Sequence, residues 1–266
     1  MDFALNQVTL APRPFLEFLD IAAELGCVGV EPRNDLGRPL FDGLSPREAG
    51  AQAARRGLRF LSLNQVWPFD RWSPERAREL ERLIAQAQAA GAEGVSLIPD
   101  IESPMQTRSE RVAHLTRALE RTLPSLERAG LVGFVEALGF PRASIRAPDE
   151  VEQAIRSLGA GGRLRLVHDT FQHRVSGLGG PIAACTGLVQ ASSVTSTQGT
   201  LSAELDPHRG LIGEDDAVDN AGQLRTLWEQ GYRGPVCFEC TDARVQSLPD
   251  PVRAIGESME RLRGCV

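Results

Sequence analysis

The chain has 266 residues, 42% of them hydrophobic, and a formal net charge of −6. This length and apolar content suit one large domain, and the acidic balance lacks the positive surface that binds nucleic acid or an anionic membrane. The five scattered cysteines indicate reduced thiols rather than a disulfide framework. There is no apolar run of about 18 residues and no secretory leader, so we expect a cytoplasmic protein with no nucleic-acid or membrane partner.

Strand-like and helix-like segments alternate along the whole chain. Short apolar runs predict eight strands, at Phe3–Val8, Val28–Glu31, Leu58–Asn64, Gly94–Ile98, Leu131–Glu136, Arg163–Asp169, Gly187–Gln190 and Pro235–Glu239. Amphipathic patterns predict helices at Arg13–Leu25, Ser45–Arg56, Ser73–Ala90, Arg108–Ala129, Pro148–Leu158, Ala217–Gln230 and Pro249–Arg263. The stretches Phe171–Cys185 and Ser192–Gly213 show no clear long helix and are predicted to be active-site loops. Eight strand–helix units predict an α/β fold, a single-domain (β/α)₈ TIM barrel over residues 1–266.

Polar side chains close the last four predicted strands: Glu136, Asp169, Gln190 and Glu239. The carboxyl ends of barrel strands are where barrel enzymes keep their catalytic groups. Three carboxylates aimed at one point would repel each other, and a divalent cation would remove that repulsion. We therefore predict a metal site with these four residues as ligands. At Gln190 two interpretations stay open, a neutral amide ligand or a pocket wall that binds no metal. Oxygen ligands suit Mg²⁺ or Mn²⁺, and Co²⁺ or Zn²⁺ if a nitrogen joins them.

Further polar residues near strand ends predict a pocket for a hydroxyl-rich ligand. Glu31 and Arg33 close the second strand, and Asn64 closes the third, with Trp67 placed to stack on the apolar face of a ligand. His173 follows the sixth strand and is a candidate substrate contact, although simple exposure explains it equally well.

Two residues in the seventh loop are candidate catalytic groups, His208 and Arg209. A cationic arginine there would stabilise negative charge that develops on a substrate. The alternative is a turn stabilised by Asp206. His168 alternates with Asp169 along the same strand, so we expect it to pack outside the barrel as a structural histidine.

With these residues in view, the chain resembles the xylose isomerase-like barrel superfamily of sugar isomerases and epimerases. The nearest group is that of the sugar phosphate isomerases and epimerases that includes 2-keto-myo-inositol isomerase. The resemblance rests on residues 30–35, Leu63 with Asn64, Glu136, residues 168–171, residues 206–209, and Phe238 with Glu239. It implies one divalent metal held by Glu, Asp, His and Glu, so that Gln190 replaces the ligand histidine. A second family histidine, just after Asp-Thr-Phe, is Gln172 here.

The resemblance also implies a function, a metal-dependent isomerase or epimerase of a keto-sugar or keto-inositol. Glu136 and Glu239 would be acid and base around an enediolate, supported by His208 and Arg209. The expected partner is a small polyhydroxylated substrate, and a homo-oligomer is left open. Two alternatives remain: a non-catalytic or altered-metal sugar-binding barrel, because of Gln190, and a lyase or dehydratase of the same superfamily. Four histidines and the negative charge argue against an endonuclease IV-like phosphodiesterase.

Overall fold

The computed structural model describes residues 1–105, 107–195 and 201–266. In these ranges nine parallel strands form one sheet: β1 Phe3–Asn6, β2 Gly29–Glu31, β3 Arg59–Phe60, β4 Leu63–Val66, β5 Gly94–Leu97, β6 Val132–Glu136, β7 Leu164–Asp169, β8 Thr186–Ala191 and β9 Val236–Phe238. Their order is β3-β2-β1-β9-β8-β7-β6-β5-β4. The two end strands, β3 and β4, follow each other directly along the chain, so one bent segment closes the ring. The predicted TIM barrel is confirmed.

Helices surround this barrel and connect its strands. Their bounds are α1 Phe15–Glu24, α2 Pro46–Arg55, α3 Pro74–Ala90, α4 Arg108–Ala129, α5 Pro148–Ser157, α6 Thr170–Ser176, α7 Asn220–Glu229, α8 Ala243–Gln246 and α9 Pro251–Cys265. The longest, α4, has the predicted bounds because a complete capping box, Thr107 with Glu110, fixes its start and Gly130 ends it in the left-handed conformation. Across the described ranges, every helix is too short or too polar to cross a lipid bilayer.

Three predicted elements differ in detail from the observed ones. The first strand stops at Asn6, whose side-chain oxygen accepts a hydrogen bond from the Val8 amide at 3.1 Å and starts a 3₁₀ turn. The third predicted strand is divided into β3 and β4. The stretch after β7, predicted as loop, begins with the seven-residue α6, because the Asp169 side chain accepts from the Gln172 amide at 2.9 Å and caps that helix.

The barrel interior is closed by side chains below the carboxyl ends of the strands. A buried apolar cluster fills it: Ala4, Leu61, Phe134, Val167, Leu188 and Cys237. Room for the Phe134 ring comes from Gly94, where a Cβ atom would lie 2.2 Å from the Val132 carbonyl oxygen and 2.7 Å from the ring. This packed layer separates the amino end of the barrel from the carboxyl end, where the predicted site residues lie.

Candidate functional site

A cleft opens at the carboxyl end of the barrel, with a cavity of about 180 Å³. Its walls combine charged, amide and apolar side chains: Arg33, Asn64, Gln65, Trp67, Ile98, Ile101, Glu136, Leu138, Phe140, Gln172, Asp206, Arg209 and Glu239. The cavity is smaller than the roughly 300–1,000 Å³ of pockets for drug-sized ligands. Its size and mixed lining suit a small molecule that carries several polar groups on a carbon skeleton.

The floor of the cleft contains a chain of ion pairs that runs through Arg209. Its Nη1 donates to Asp169 Oδ2 at 2.6 Å, and its Nη2 donates to Glu239 Oε2 at 3.2 Å. The other oxygen of Glu239 accepts from Arg33 Nη1 at 2.8 Å, and Arg33 also donates two hydrogen bonds to Asp35. Each oxygen of Glu239 therefore faces a different guanidinium, and the Arg209 side chain is only 6% exposed.

Arg209 is held in this place by the loop that follows β8. Its carbonyl oxygen accepts from the amides of Thr241 and Asp242, both at 2.9 Å, just after β9. The next residue, Gly210, pairs with Ser193 through two backbone hydrogen bonds of 2.9 and 2.6 Å. The guanidinium carbon lies 5.6 Å from the centre of the Phe171 ring. These contacts fix a buried cation in front of the carboxylates.

Glu136 has a different environment from Glu239, although both line the cleft. It ends β6, and in the described residues its carboxyl group makes no hydrogen bond or ion pair. Burial and the neighbouring carboxylates of Asp169 and Glu239 raise the pKa of Glu136 well above its usual range, with Arg209 opposing them. Burial also raises the pKa of Asp169, again opposed by Arg209. Burial without a hydrogen-bond or ion-pair partner therefore favours the protonated form of Glu136.

Below the cleft lies a second polar layer around Glu31. Asn6 Nδ2 and Gln190 Nε2 both donate to Glu31 Oε2, at 2.6 and 2.8 Å. Burial, with a contribution from Glu239, raises the pKa of Glu31 to about 7. In the described residues the second oxygen of Glu31 and the amide oxygen of Gln190 are buried without a hydrogen-bond partner. This layer supports the floor of the cleft and does not line it.

Known proteins share this arrangement of elements. Residues 19–265 match the xylose isomerase-like TIM-barrel family. The chain belongs to that family. A xylose isomerase domain-containing protein from Salmonella typhimurium LT2 is 27% identical, and the likeness covers 98% of this chain and 96% of that one with a TM-score of 0.85. Among curated proteins none matches the chain.

Two further solved structures are similar at lower identity. The IolI protein, solved with a bound zinc atom, is 15% identical over 98% of both chains, with a TM-score of 0.81. The 3-keto-D-glucoside 4-epimerase YcjR from E. coli is 18% identical over the full length of both chains, with a TM-score of 0.72. At these identities the likeness shows a shared fold.

Within this family member, the predicted site residues fall into three groups. Arg33, Asn64 and Trp67 line the cleft with Glu136, Arg209 and Glu239. Asp169, Gln190 and Glu31 are buried directly beneath them. His173 and His208 do not line the cleft, contrary to expectation.

Each of these two histidines is placed elsewhere for a visible reason. His173 lies on α6, and its ring packs 4.8 Å from the ring of His168, on the outer side of the sheet. His168 itself donates to or accepts from Gln223 of α7 at 2.9 Å, as its predicted structural role requires. His208 is exposed in a separate surface depression with Ser193 and Asp242.

Gln172 lines the cleft, although the sequence did not assign it to the pocket. Its side-chain oxygen accepts from the Gly139 amide and its nitrogen donates to Asp206, both at 2.8 Å. It therefore ties the loop after β6 to the loop after β8 at the rim of the cleft. The signal was its place three residues after Asp169, whose side chain accepts from the Gln172 amide at the carboxyl end of β7.

The side chains at the floor do not fit a metal ion in this arrangement. In the described residues no three His, Cys, Asp or Glu side chains come together so as to hold one. The Arg209 guanidinium occupies the space between Asp169 and Glu239, and Gln190 points its amide hydrogens at Glu31. The ligand roles predicted for Glu136, Asp169, Gln190 and Glu239 stay a prediction that these contacts do not support.

Proposed function

We propose that the chain is an isomerase or epimerase of a small keto-sugar or keto-inositol. The observation that carries the proposal is the pair of glutamates in one cleft with opposite surroundings. Glu239 accepts from two guanidinium groups, whereas Glu136 is buried without an ion pair, and burial raises its pKa. Two carboxyl groups in such different surroundings are what a proton transfer at carbon needs, one to act as base and the other as acid.

The positions of the two glutamates also suit such a transfer. Glu136 ends β6 and Glu239 directly follows β9, with β7 and β8 between those strands in the sheet. The side chains therefore approach the cleft from different sides. A flat substrate between them presents one face to each carboxyl group, so one group can take a proton and the other can supply one.

In the proposed reaction Glu239 removes the proton from a carbon next to a carbonyl group. The electron pair of that C–H bond forms a C=C bond, and the carbonyl π electrons move onto oxygen to give an enolate. Glu136 then donates its proton to the opposite face of the same carbon while the carbonyl group re-forms, which gives the epimer. Where that carbon carries a hydroxyl group, the hydroxyl proton can instead pass to the enolate oxygen; Glu136 then protonates the former carbonyl carbon, and a C=O bond forms at the first carbon, which gives the isomer. No step passes through a metal ion.

Other cleft residues bind and orient the substrate in this proposal. Trp67, 47% exposed at the rim, offers a ring on which the apolar face of a sugar can stack. Arg33 and Asn64 offer hydrogen-bonding groups around it, and Gln172 holds two loops together at the rim. Ile101, Leu138 and Phe140 exclude water from the opposite wall, which strengthens the electrostatic effect of the charged groups.

The test is solvent-deuterium exchange followed by proton NMR over a panel of ketoses and inososes. We expect the wild-type protein to place deuterium at one carbon beside the carbonyl group of at least one of these compounds. Glu136→Gln and Glu239→Gln should each slow the exchange by about 10²–10⁴-fold, the usual contribution of an acid or base. If both variants exchanged at the wild-type rate, the assignment would be wrong.

A matched control is Glu93→Gln. Glu93 lies at the amino end of β5, at the far end of the barrel, and its carboxylate pairs with Arg59 at 2.8 Å in an exposed position. An exposed ion pair contributes little stability, so this variant should exchange at the wild-type rate. Exchange with loss of a hydroxyl group would indicate the lyase or dehydratase alternative, and ligand binding without exchange would indicate the sugar-binding one.

A further inference from the structure

The floor of the cleft carries a cation of its own. Of the five N–H groups of a guanidinium, the Arg209 hydrogen bonds to Asp169 and Glu239 use two. Arg209 lines the cleft, and each of its Nη atoms carries a second hydrogen that these bonds do not use, whereas its Nε is buried 3.4 Å from Asp206. Donor capacity is therefore left over on a buried, charged group beside the two glutamates.

The two positions where the resemblance places histidines hold amides that are already committed. Gln190 donates to Glu31, and Gln172 bridges Gly139 and Asp206. The chain has four histidines, and none of them lines the cleft. The site therefore lacks the imidazole nitrogens that bind zinc and other late transition metals best.

Two contacts of unequal length set the position of Arg209. Its bond to Asp169 is short, 2.6 Å, whereas that to Glu239 is 3.2 Å. Arg33 holds the other oxygen of Glu239 at 2.8 Å. Asp169 is thus the residue that mainly holds the guanidinium of Arg209. If Arg209 turns toward a substrate, Glu239 still keeps its ion pair with Arg33.

We propose that the Arg209 guanidinium, and not a bound metal ion, stabilises the enolate oxygen in this protein. The inference rests on the proposed proton transfer between Glu239 and Glu136. As Glu239 takes the carbon-bound proton, negative charge moves to the carbonyl oxygen, and Arg209 donates charge-assisted hydrogen bonds to it. Asp169 is the positioning residue that orients the guanidinium.

The first arm of the test measures metal binding alone. Wild-type protein freed of metal with a chelator is titrated with Mn²⁺ and with Zn²⁺ by calorimetry. We expect no stoichiometric binding, for wild type or for Gln190→His, because the Arg209 charge remains. The double variant Gln190→His with Arg209→Ala should bind Zn²⁺. Stoichiometric binding to wild type that Asp169→Asn abolishes would overturn the proposal.

The second arm measures exchange in the presence of the chelator, on the compound that exchanges best. Wild type should keep its rate. Arg209→Ala should lower the exchange rate by about 10²–10³-fold, the typical cost of removing one donor to an oxyanion. Free guanidinium ion at millimolar concentration should restore part of that rate. Arg244→Ala is the control, since Arg244 pairs with Asp242 at an exposed position outside the cleft and should behave as wild type.

The outcomes separate this inference from the proposed function. Exchange that the chelator abolishes and Mn²⁺ restores would keep the isomerase proposal and overturn the role of Arg209. The same holds if Arg209→Ala is folded by circular dichroism and exchanges at the wild-type rate. No exchange by wild type with any compound would refute the isomerase proposal, and with it the role given to Arg209.

Discussion

Replacing Glu31 by glutamine should make the protein more stable above neutral pH. The Glu31 side chain is fully buried, and its Oε2 accepts from Asn6 and Gln190. Burial, then repulsion from Glu239, raises its pKa from 4.5 to about 7. Glutamine keeps the shape of the side chain and an oxygen for both donors, and it cannot ionise.

The magnitude follows from the two pKa values. The unfolded chain releases the Glu31 proton near pH 4.5, whereas the folded protein keeps it until about pH 7. Between these values the folded state binds more protons, so stability falls as pH rises. At 1.36 kcal/mol for each pKa unit, the difference corresponds to about 3 kcal/mol, which is lost once the pH exceeds 7.

Urea unfolding followed by circular dichroism at pH 5, 6, 7, 8 and 9 measures this effect. We expect Glu31→Gln to match wild type at pH 5 and to exceed it by about 3 kcal/mol in the free energy of unfolding at pH 9. The control Glu93→Gln, on an exposed pair, should follow wild type throughout. A constant difference between Glu31→Gln and wild type from pH 5 to pH 9 would refute the reasoning.

Three further variants test other parts of the structure. Burial, and to a smaller extent His173, lowers the pKa of His168 to about 3, whereas the same imidazole in the unfolded chain takes up its proton near pH 6.5. The free energy of unfolding should therefore fall by about 5 kcal/mol from pH 6.5 to pH 3. Urea titrations of His168→Gln should show most of that fall removed. Trp67→Ala should raise KM about fivefold with kcat unchanged, in line with about 1 kcal/mol of ring contact, in steady-state assays on the exchanging compound; an unchanged KM would place the substrate away from Trp67. Gln172→Ala leaves the Gly139 amide without its hydrogen-bond acceptor and should lower the free energy of unfolding by about 1–3 kcal/mol, measured in urea. An unchanged free energy would mean that the loops after β6 and β8 do not need this side chain.

Much of the fold was predictable because local chemistry and long-range packing agree along this chain. Ser45 and Ser73 each accept a hydrogen bond from the amide three residues on, so α2 and α3 start where their caps are. The short seven-residue α6 was missed because its cap, Asp169, was interpreted only as a strand end and a ligand. Asp169 both ends β7 and caps α6, and a linear pattern does not show that one residue does both.

The site was predicted less completely, since its decisive contacts join residues far apart in the chain. Strand ends indicated Glu136 and Glu239, and both line the cleft. They did not show that Arg33 and Arg209, 176 positions apart, would divide the oxygens of Glu239 between them. The sequence also placed His173 and His208 near the cleft by loop position. In the structure α6 places His173 against His168, and His208 is exposed in a separate depression.

The most direct test of the central claim, proton transfer at carbon between two glutamates in different environments, is deuterium exchange by chelator-treated wild-type protein. We predict that deuterium enters one carbon beside the carbonyl group of a ketose or inosose, and that Glu136→Gln and Glu239→Gln each suppress its entry. Absence of exchange by the wild type across the panel, or exchange that survives both substitutions, would contradict the account.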